Sequence, residues 1–129
     1  MNSLYIAATK STPEIAFEPT LHRLTMKGES YPENAFKFYE PIFAWVDQYI
    51  GTLQGQEAVT VSLELPYINT SSTKCMMMLL EKFEEAYQAG KNIRLEWYCN
   101  EENDSELECA EEFQEDMSMP FDILMIKEA

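Results

Sequence analysis

The clearest periodicity lies near the middle of the chain. Ala58 to Leu65 (AVTVSLEL) alternates, with Val59, Val61, Leu63 and Leu65 on one side, the period of two expected of a half-buried strand. Weaker alternation predicts strands at Leu4–Ala7, Ile15–Phe17 and Leu21–Met26. The last two read as a hairpin turning at Glu18-Pro19-Thr20 and closed by Lys27-Gly28. Ile93–Cys99, with Ile93, Leu95 and Trp97 facing one way, and Phe121–Ile126 complete the strands.

Three stretches follow the helical period instead. After Pro32-Glu33-Asn34, spacing at about 100° per residue puts Phe36, Tyr39, Ile42, Phe43, Val46, Ile50 and Leu53 on one face. Lys37, Glu40, Asp47 and Gln48 fall opposite. Proline suits a first turn and Glu33 complements the positive helix end. Pro41, inside the pattern, predicts a kink or an interrupted turn. Phe38, Trp45 and Tyr49 widen the apolar arc on one flank; core burial accounts for Phe38, while Trp45 suits either core or a docking face. Thr73–Ala89 forms a second helix with Met76, Leu79, Leu80, Phe83, Ala86 and Tyr87 inward, stopped by Gly90. Asp104–Met117 forms a third, with Leu107, Ala110, Phe113 and Met117 inward. This order predicts an α/β fold: a small mixed sheet with a leading β-hairpin and about three flanking helices, all on one face, joined by right-handed crossovers. With 129 residues, residues 1–129 are expected to form a single domain.

Charge narrows the choice of partner. The net charge is −14 at pH 7, which argues against nucleic acid and against anionic membrane surfaces, since both need clustered Lys and Arg. Aromatic residues make up 12%, so the charge does not signal disorder. Met1 to Lys10 lacks the basic start and apolar run of a signal peptide. The longest apolar cluster, Cys75–Leu80, is far too short to span a bilayer. Cys75, Cys99 and Cys109 are odd in number and form no Cys-x-x-Cys pair. A cytoplasmic protein with reduced thiols is the expectation.

Chemistry concentrates in one loop. Tyr67-Ile68-Asn69-Thr70-Ser71-Ser72-Thr73-Lys74 lies between the best strand and a helix, at the end of the sheet where open α/β folds place their sites. Helix capping explains one Asn, Ser or Thr there, but five stand in a row from Asn69 to Thr73. A phosphate on one of these hydroxyls would meet the positive end of the helix and its free amides. Elsewhere the signals are weaker. Glu96 to Asp116 holds ten acids and no Lys or Arg, which suits a solvated face or attraction of a basic partner. Asn100, Glu102 and Asp104 alternate like a calcium loop, yet Ser105 stands where the glycine is required. His22 is the one histidine and belongs to no recognised catalytic motif; an edge-strand position is its plainest account. No Gly-rich phosphate loop or nucleophile elbow is present. The competing class is a small carboxylate- or metal-dependent enzyme built on the acidic segment.

Four segments together carry a family likeness: Ser11-Thr12-Pro13, Gly28-Glu29-Ser30-Tyr31-Pro32-Glu33-Asn34, Tyr67-Ile68-Asn69-Thr70-Ser71-Ser72, and the acidic Ala110–Asp116 stretch before Pro120-Phe121. In this order and spacing the chain resembles the SiaC-type bacterial regulatory phosphoproteins over nearly its whole length. The resemblance implies a fold like the anti-sigma-factor antagonist (STAS) domains. It implies phosphorylation of Thr70 by a partner protein kinase and its reversal by a metal-dependent serine/threonine phosphatase. It also implies that the unphosphorylated form binds and activates a diguanylate cyclase, in cyclic-di-GMP signalling and biofilm regulation. Tyr31, Pro32, Glu33, Asn34, Asn69, Ser71, Ser72 and Lys74 are the candidate partner-binding residues. No catalytic residue, metal or cofactor is expected.

Overall fold

The computed structural model describes residues 1–127. Its strands are β1 (Leu4–Ile6), β2 (Glu14–Glu18), β3 (Arg23–Lys27), β4 (Ala58–Glu64), β5 (Asn92–Asn100) and β6 (Phe121–Ile126). Its helices are α1 (Ala35–Thr52), α2 (Thr70–Gln88) and α3 (Asp104–Glu115). The six strands form one sheet whose spatial order is the chain order. β1, β2 and β3 pair antiparallel, and β3 to β6 run parallel. Each parallel step is bridged by one helix. The sheet grows in one direction and crossovers keep one hand, so all three helices cover the same face. The mixed sheet, leading hairpin and three flanking helices agree with the sequence pattern.

Alternation decides what that face buries. Ile15, Phe17, Leu24, Met26, Val59, Val61, Leu63, Ile93, Leu95 and Trp97 point under the helices and are at most 1% exposed. The opposite pleat carries Ala16, Thr25, Ser62, Glu96 and Asp122, aligned in one row by the register. From above, α2 supplies Met76, Leu79, Leu80 and Phe83, all fully buried.

Helix boundaries and faces shift from the sequence reading in instructive places. Helix α2 begins at Thr70, three residues before Thr73, because Asn69 and not a later hydroxyl forms its cap. Helix α1 starts at Ala35 and runs on through Pro41 without a break. Phe36, expected inward, is 52% exposed; it sits roughly a quarter turn from the centre of the buried arc and meets Phe43 edge-on at 6.2 Å. Ile50, Tyr87, Leu107 and Met117 are only half-buried, the last because α3 ends at Glu115. Tyr49, assigned to the flank, is buried, and its hydroxyl lies 2.6 Å from Nδ1 of His22. That contact gives the lone histidine a structural partner, and its φ of 52° marks it as the bend residue leading into β3. Trp45 stacks on Tyr49 at 5.1 Å and donates its indole N–H to the Asn2 carbonyl at 2.9 Å. Its polar edge is thereby used within the chain.

Candidate functional site

The segments leaving β3, β4 and β5 gather at one rim of the sheet, where the three helices begin. Each helix is capped by an asparagine. Asn34 Oδ1 accepts from the Lys37 amide at 3.0 Å, Asn69 Oδ1 from the Ser72 amide at 2.9 Å, and Asn103 Oδ1 from the Glu106 amide at 3.1 Å. One capping residue per helix is what the orphan amides require. At α2 the carbonyl of Asn69 also accepts the Thr73 amide at 2.8 Å and the Thr73 hydroxyl at 2.9 Å. Asn69 alone therefore makes the cap, Thr73 turns its hydroxyl back onto the Asn69 carbonyl, and Thr70 and Ser71 stand exposed on the first turn.

Beneath them runs a buried hydroxyl chain. Ser30 forms a parallel bridge with Ile68. Its amide donates to the Tyr67 carbonyl at 2.9 Å, and its carbonyl accepts from the Asn69 amide at 3.0 Å. The Ser30 hydroxyl donates to Ser72 Oγ at 2.8 Å and lies 2.8 Å from the Tyr39 hydroxyl. A serine has one hydroxyl proton, so Tyr39 is the donor to Ser30. Burial pushes the Tyr39 phenol up to about 12, which keeps that proton in place at neutral pH. Ser30 and Ser72 are both fully buried. Ser72 therefore differs from its neighbours: its side chain supports the loop from inside and reaches no outside surface.

The 28–34 segment is brought to this rim by a specific turn. Gly28 has φ +129°, and a Cβ there would lie 3.2 Å from Pro13 Cα, so a side chain would be both strained and crowded. Beyond it, the Tyr31 amide donates to the Ser11 carbonyl at 2.8 Å, and the Tyr31 ring meets Tyr67 at 6.0 Å. Three of the four segments that carry the family likeness thus converge around Thr70. The acidic Ala110–Asp116 stretch belongs to α3 and its end; the tie from this side comes from Asn103, whose Nδ2 donates to the Pro66 carbonyl at 3.0 Å.

Between the starts of α1 and α2 lies a cleft of about 350 Å³, lined by Glu33, Asn34, Ala35, Phe36, Ser71, Lys74, Cys75 and Met78. Phe36, Met78 and, on the other side of the loop, Tyr67 are 52%, 43% and 53% exposed. Large apolar groups held in water beside a loop are the usual material of a contact surface. The sequence pattern placed Phe36 on the inward face and left Met78 unassigned, so it read neither as part of a surface. It also missed the pairing of Ser30 with Ser72, 42 residues apart.

The other candidate residues fall as follows. Glu33, Asn34, Ser71 and Lys74 are exposed, whereas Tyr31, Pro32 and Asn69 are half-buried. Asn34 and Asn69 have their side-chain oxygens occupied as caps. In the acidic segment, Asn100 Oδ1 accepts from the Glu102 amide at 2.9 Å. Among the described residues no three His, Cys, Asp or Glu side chains converge to hold a metal ion. No described helix is long and apolar enough to cross a membrane.

Comparison with known proteins agrees with this geometry. The chain is 42% identical over 123 residues to an uncharacterised protein of Pseudomonas aeruginosa (strain UCBPP-PA14), covering 95% of this chain and 96% of that one. The structure of SiaC of Pseudomonas aeruginosa matches with a TM-score of 0.89 at 40% identity, over 98% of this chain and 100% of that one. A crystal structure of the diguanylate cyclase SiaD in complex with its activator SiaC, from the same organism, matches with a TM-score of 0.88 at 41% identity, over 95% of this chain and 99% of the matched one. Residues 6–126 match the model of the SiaC family regulatory phosphoproteins. With the fold, the rim and the matched span in agreement, the chain belongs to the SiaC family of regulatory phosphoproteins.

Proposed function

We propose that this protein is a phospho-switched binding protein, acting as one regulatory domain, whose switch is the hydroxyl of Thr70. The observation that carries the reading is the position of that hydroxyl: exposed in the first turn of α2, outside the cap formed by Asn69 and above the buried Ser30–Ser72 pair. A partner kinase can reach it, and the helix start can accommodate the resulting anion without unfolding.

The effector we propose is a diguanylate cyclase, since a structural relative is described as the activator of one. In this reading Tyr31, Pro32, Glu33, Asn34, Asn69, Ser71 and Lys74, with the apolar Phe36 and Met78, form the contacting rim, and Ser72 holds it from below. A surface complementary to a neutral hydroxyl would meet a phosphate of charge about −1.5 to −2 after modification. Burying such a charge unpaired costs several kcal/mol, and about 1.4 kcal/mol is already tenfold in affinity. In this reading the protein regulates a reaction and does not catalyse one. A metal-dependent serine/threonine phosphatase resets it, and all these partners meet in the cytoplasm.

The test is a pull-down from native lysate with unmodified, Thr70→Ala and Thr70→Asp protein, with mass spectrometry of the endogenous chain. A diguanylate cyclase held by the first two and weakened in the third, with phosphate mapped to Thr70, supports the reading. Phosphate absent from residues 67–74 under every growth condition, or equal retention by all three baits, contradicts it.

A further inference from the structure

We infer that Lys74 is the partner in cis of a phosphate on Thr70, reaching back one turn along α2 to hold it. This rests on the reading that Thr70 is the modified residue, and it goes further by assigning the group that receives the phosphate. Thr70 and Lys74 are both exposed on the first turns of α2. Residues four apart on a helix have Cβ atoms about 5–6 Å apart. Helical side chains lean toward the helix N-terminus, so a long side chain at the fifth position lies over the first. The polarity is the favourable one, with the anion N-terminal to the lysine.

Two further observations leave this lysine available to the phosphate. The ion pairs among the described residues are Lys27–Glu64, Lys82–Asp47 and Arg94–Asp122, so Lys74 is in none of them. Its own helical neighbours three or four positions away are Thr70, Ser71, Met77 and Met78, none of them acidic. The first turn of α2 likewise carries no Asp or Glu. In a chain of net charge −14 with nine Lys and Arg, an ammonium without an acidic neighbour on its own helix lies one turn from the switch hydroxyl. Lys82, next but one on the same row, is held at 2.8 Å by Asp47. Across the cleft, Glu33 is the one acidic lining residue and Lys74 the one cation.

The consequence is a switch with two effects. Phosphate adds negative charge beside the cleft, and it also draws the cleft's cation onto itself. A partner that meets Lys74 in the unmodified protein finds it engaged in the modified one. An aspartate at position 70 is shorter and carries a single charge, so it draws Lys74 less.

The experiment is a ³¹P NMR pH titration of protein carrying phosphothreonine at position 70, installed by genetic encoding so that no kinase is required. Wild-type, Lys74→Gln, Lys74→Arg and Lys37→Gln backgrounds are compared at low ionic strength. The second phosphate ionisation, ordinarily near pKa 6, should be lower in wild-type than in Lys74→Gln by about 0.3 unit. Lys74→Arg and Lys37→Gln should titrate like wild-type, and the gap should close as salt is raised. Equal midpoints for wild-type and Lys74→Gln at low salt overturn the inference, as does a shift removed by Lys37→Gln. Because the phosphate is installed, a failure of cells to modify Thr70 would sink the switch reading and leave this titration unaffected.

Discussion

Helices α2 and α3 begin in nearly the same way and carry opposite chemistry in their first turns. Both follow a parallel strand, both are capped by an asparagine oxygen on the third amide, at 2.9 and 3.1 Å, and the two starts are tied by the bond from Asn103 to Pro66. The first turn of α3 holds Asp104 and Glu106, so the chain itself supplies the negative charge that a helix N-terminus favours. Glu106 is buried and accepts the Trp97 indole N–H at 3.0 Å. The first turn of α2 holds hydroxyls and no carboxylate. A helix start alone therefore distinguishes nothing. What separates the two is which groups fill the first turn and which of them the cap leaves exposed.

The comparison can be broken or sharpened by substitution. The largest effect is expected where α2 is anchored. Phe83 is fully buried, and Phe83→Ala should cost roughly 3–5 kcal/mol. An unchanged urea midpoint would mean that α2 does not depend on this face. A smaller and more selective contrast lies within the first turn. Ser72→Val removes the acceptor of the buried Ser30 hydroxyl and should cost about 1–3 kcal/mol, while Ser71→Val, at an exposed position, should stay within about 0.5 kcal/mol. Equal effects in a denaturant titration would erase the distinction between the supporting and the exposed hydroxyl.

The smallest effect is on pH dependence, and here the two helices should differ in sign. In α2, burial alone would raise the carboxyl pKa of Glu84. The Ser118 hydroxyl, the Met119 amide at 3.0 Å, the Gln88 amide at 2.6 Å and the Ser118 amide at 2.8 Å outweigh burial and bring it below the ordinary range. Its contribution to stability is complete above the ordinary carboxylate range, near about 4.3, and is lost as pH falls through the lowered value. In α3, burial raises the pKa of Glu106, and the Trp97 indole offsets this only in part. Its contribution is complete below the ordinary range and declines as pH rises through the raised value. Glu84→Gln should flatten the acid limb of stability against pH, and Glu106→Gln should flatten the decline above it. Urea midpoints measured across pH 3 to 7, a window of roughly this range, check both; a pH profile unchanged by either substitution contradicts the assignment.

Much of the architecture was legible because burial on one face forces a period. Val59, Val61 and Leu63 alternate, and they line the helix-covered side of β4. The pattern was less informative at element ends, where the hydrogen bond of a single side chain decides. Asn69 set the start of α2 three residues early, which moved Thr70 from loop to first turn. The hydroxyl loop was visible as an excess over what capping needs. Its division into the cap (Asn69), a hydroxyl turned onto the cap's carbonyl (Thr73), a buried support (Ser72) and exposed groups (Thr70, Ser71) was not, because the buried member depends on Ser30 arriving from 42 residues away. Phe36 was misplaced for a related reason: a helical wheel ranks positions around the axis and does not say how wide an arc the neighbouring elements cover.

The central claim is that the state of the Thr70 hydroxyl decides binding while the fold stays as it is. Calorimetric titration of the retained diguanylate cyclase into unmodified, Thr70-phosphorylated and Thr70→Ala protein tests it most directly, with thermal unfolding of the three forms measured alongside. The account predicts similar binding by the unmodified and Thr70→Ala forms, at least tenfold weaker binding by the phosphorylated form, a difference of about 1.4 kcal/mol or more, and folded protein in all three. Equal affinity of the unmodified and phosphorylated forms would contradict it.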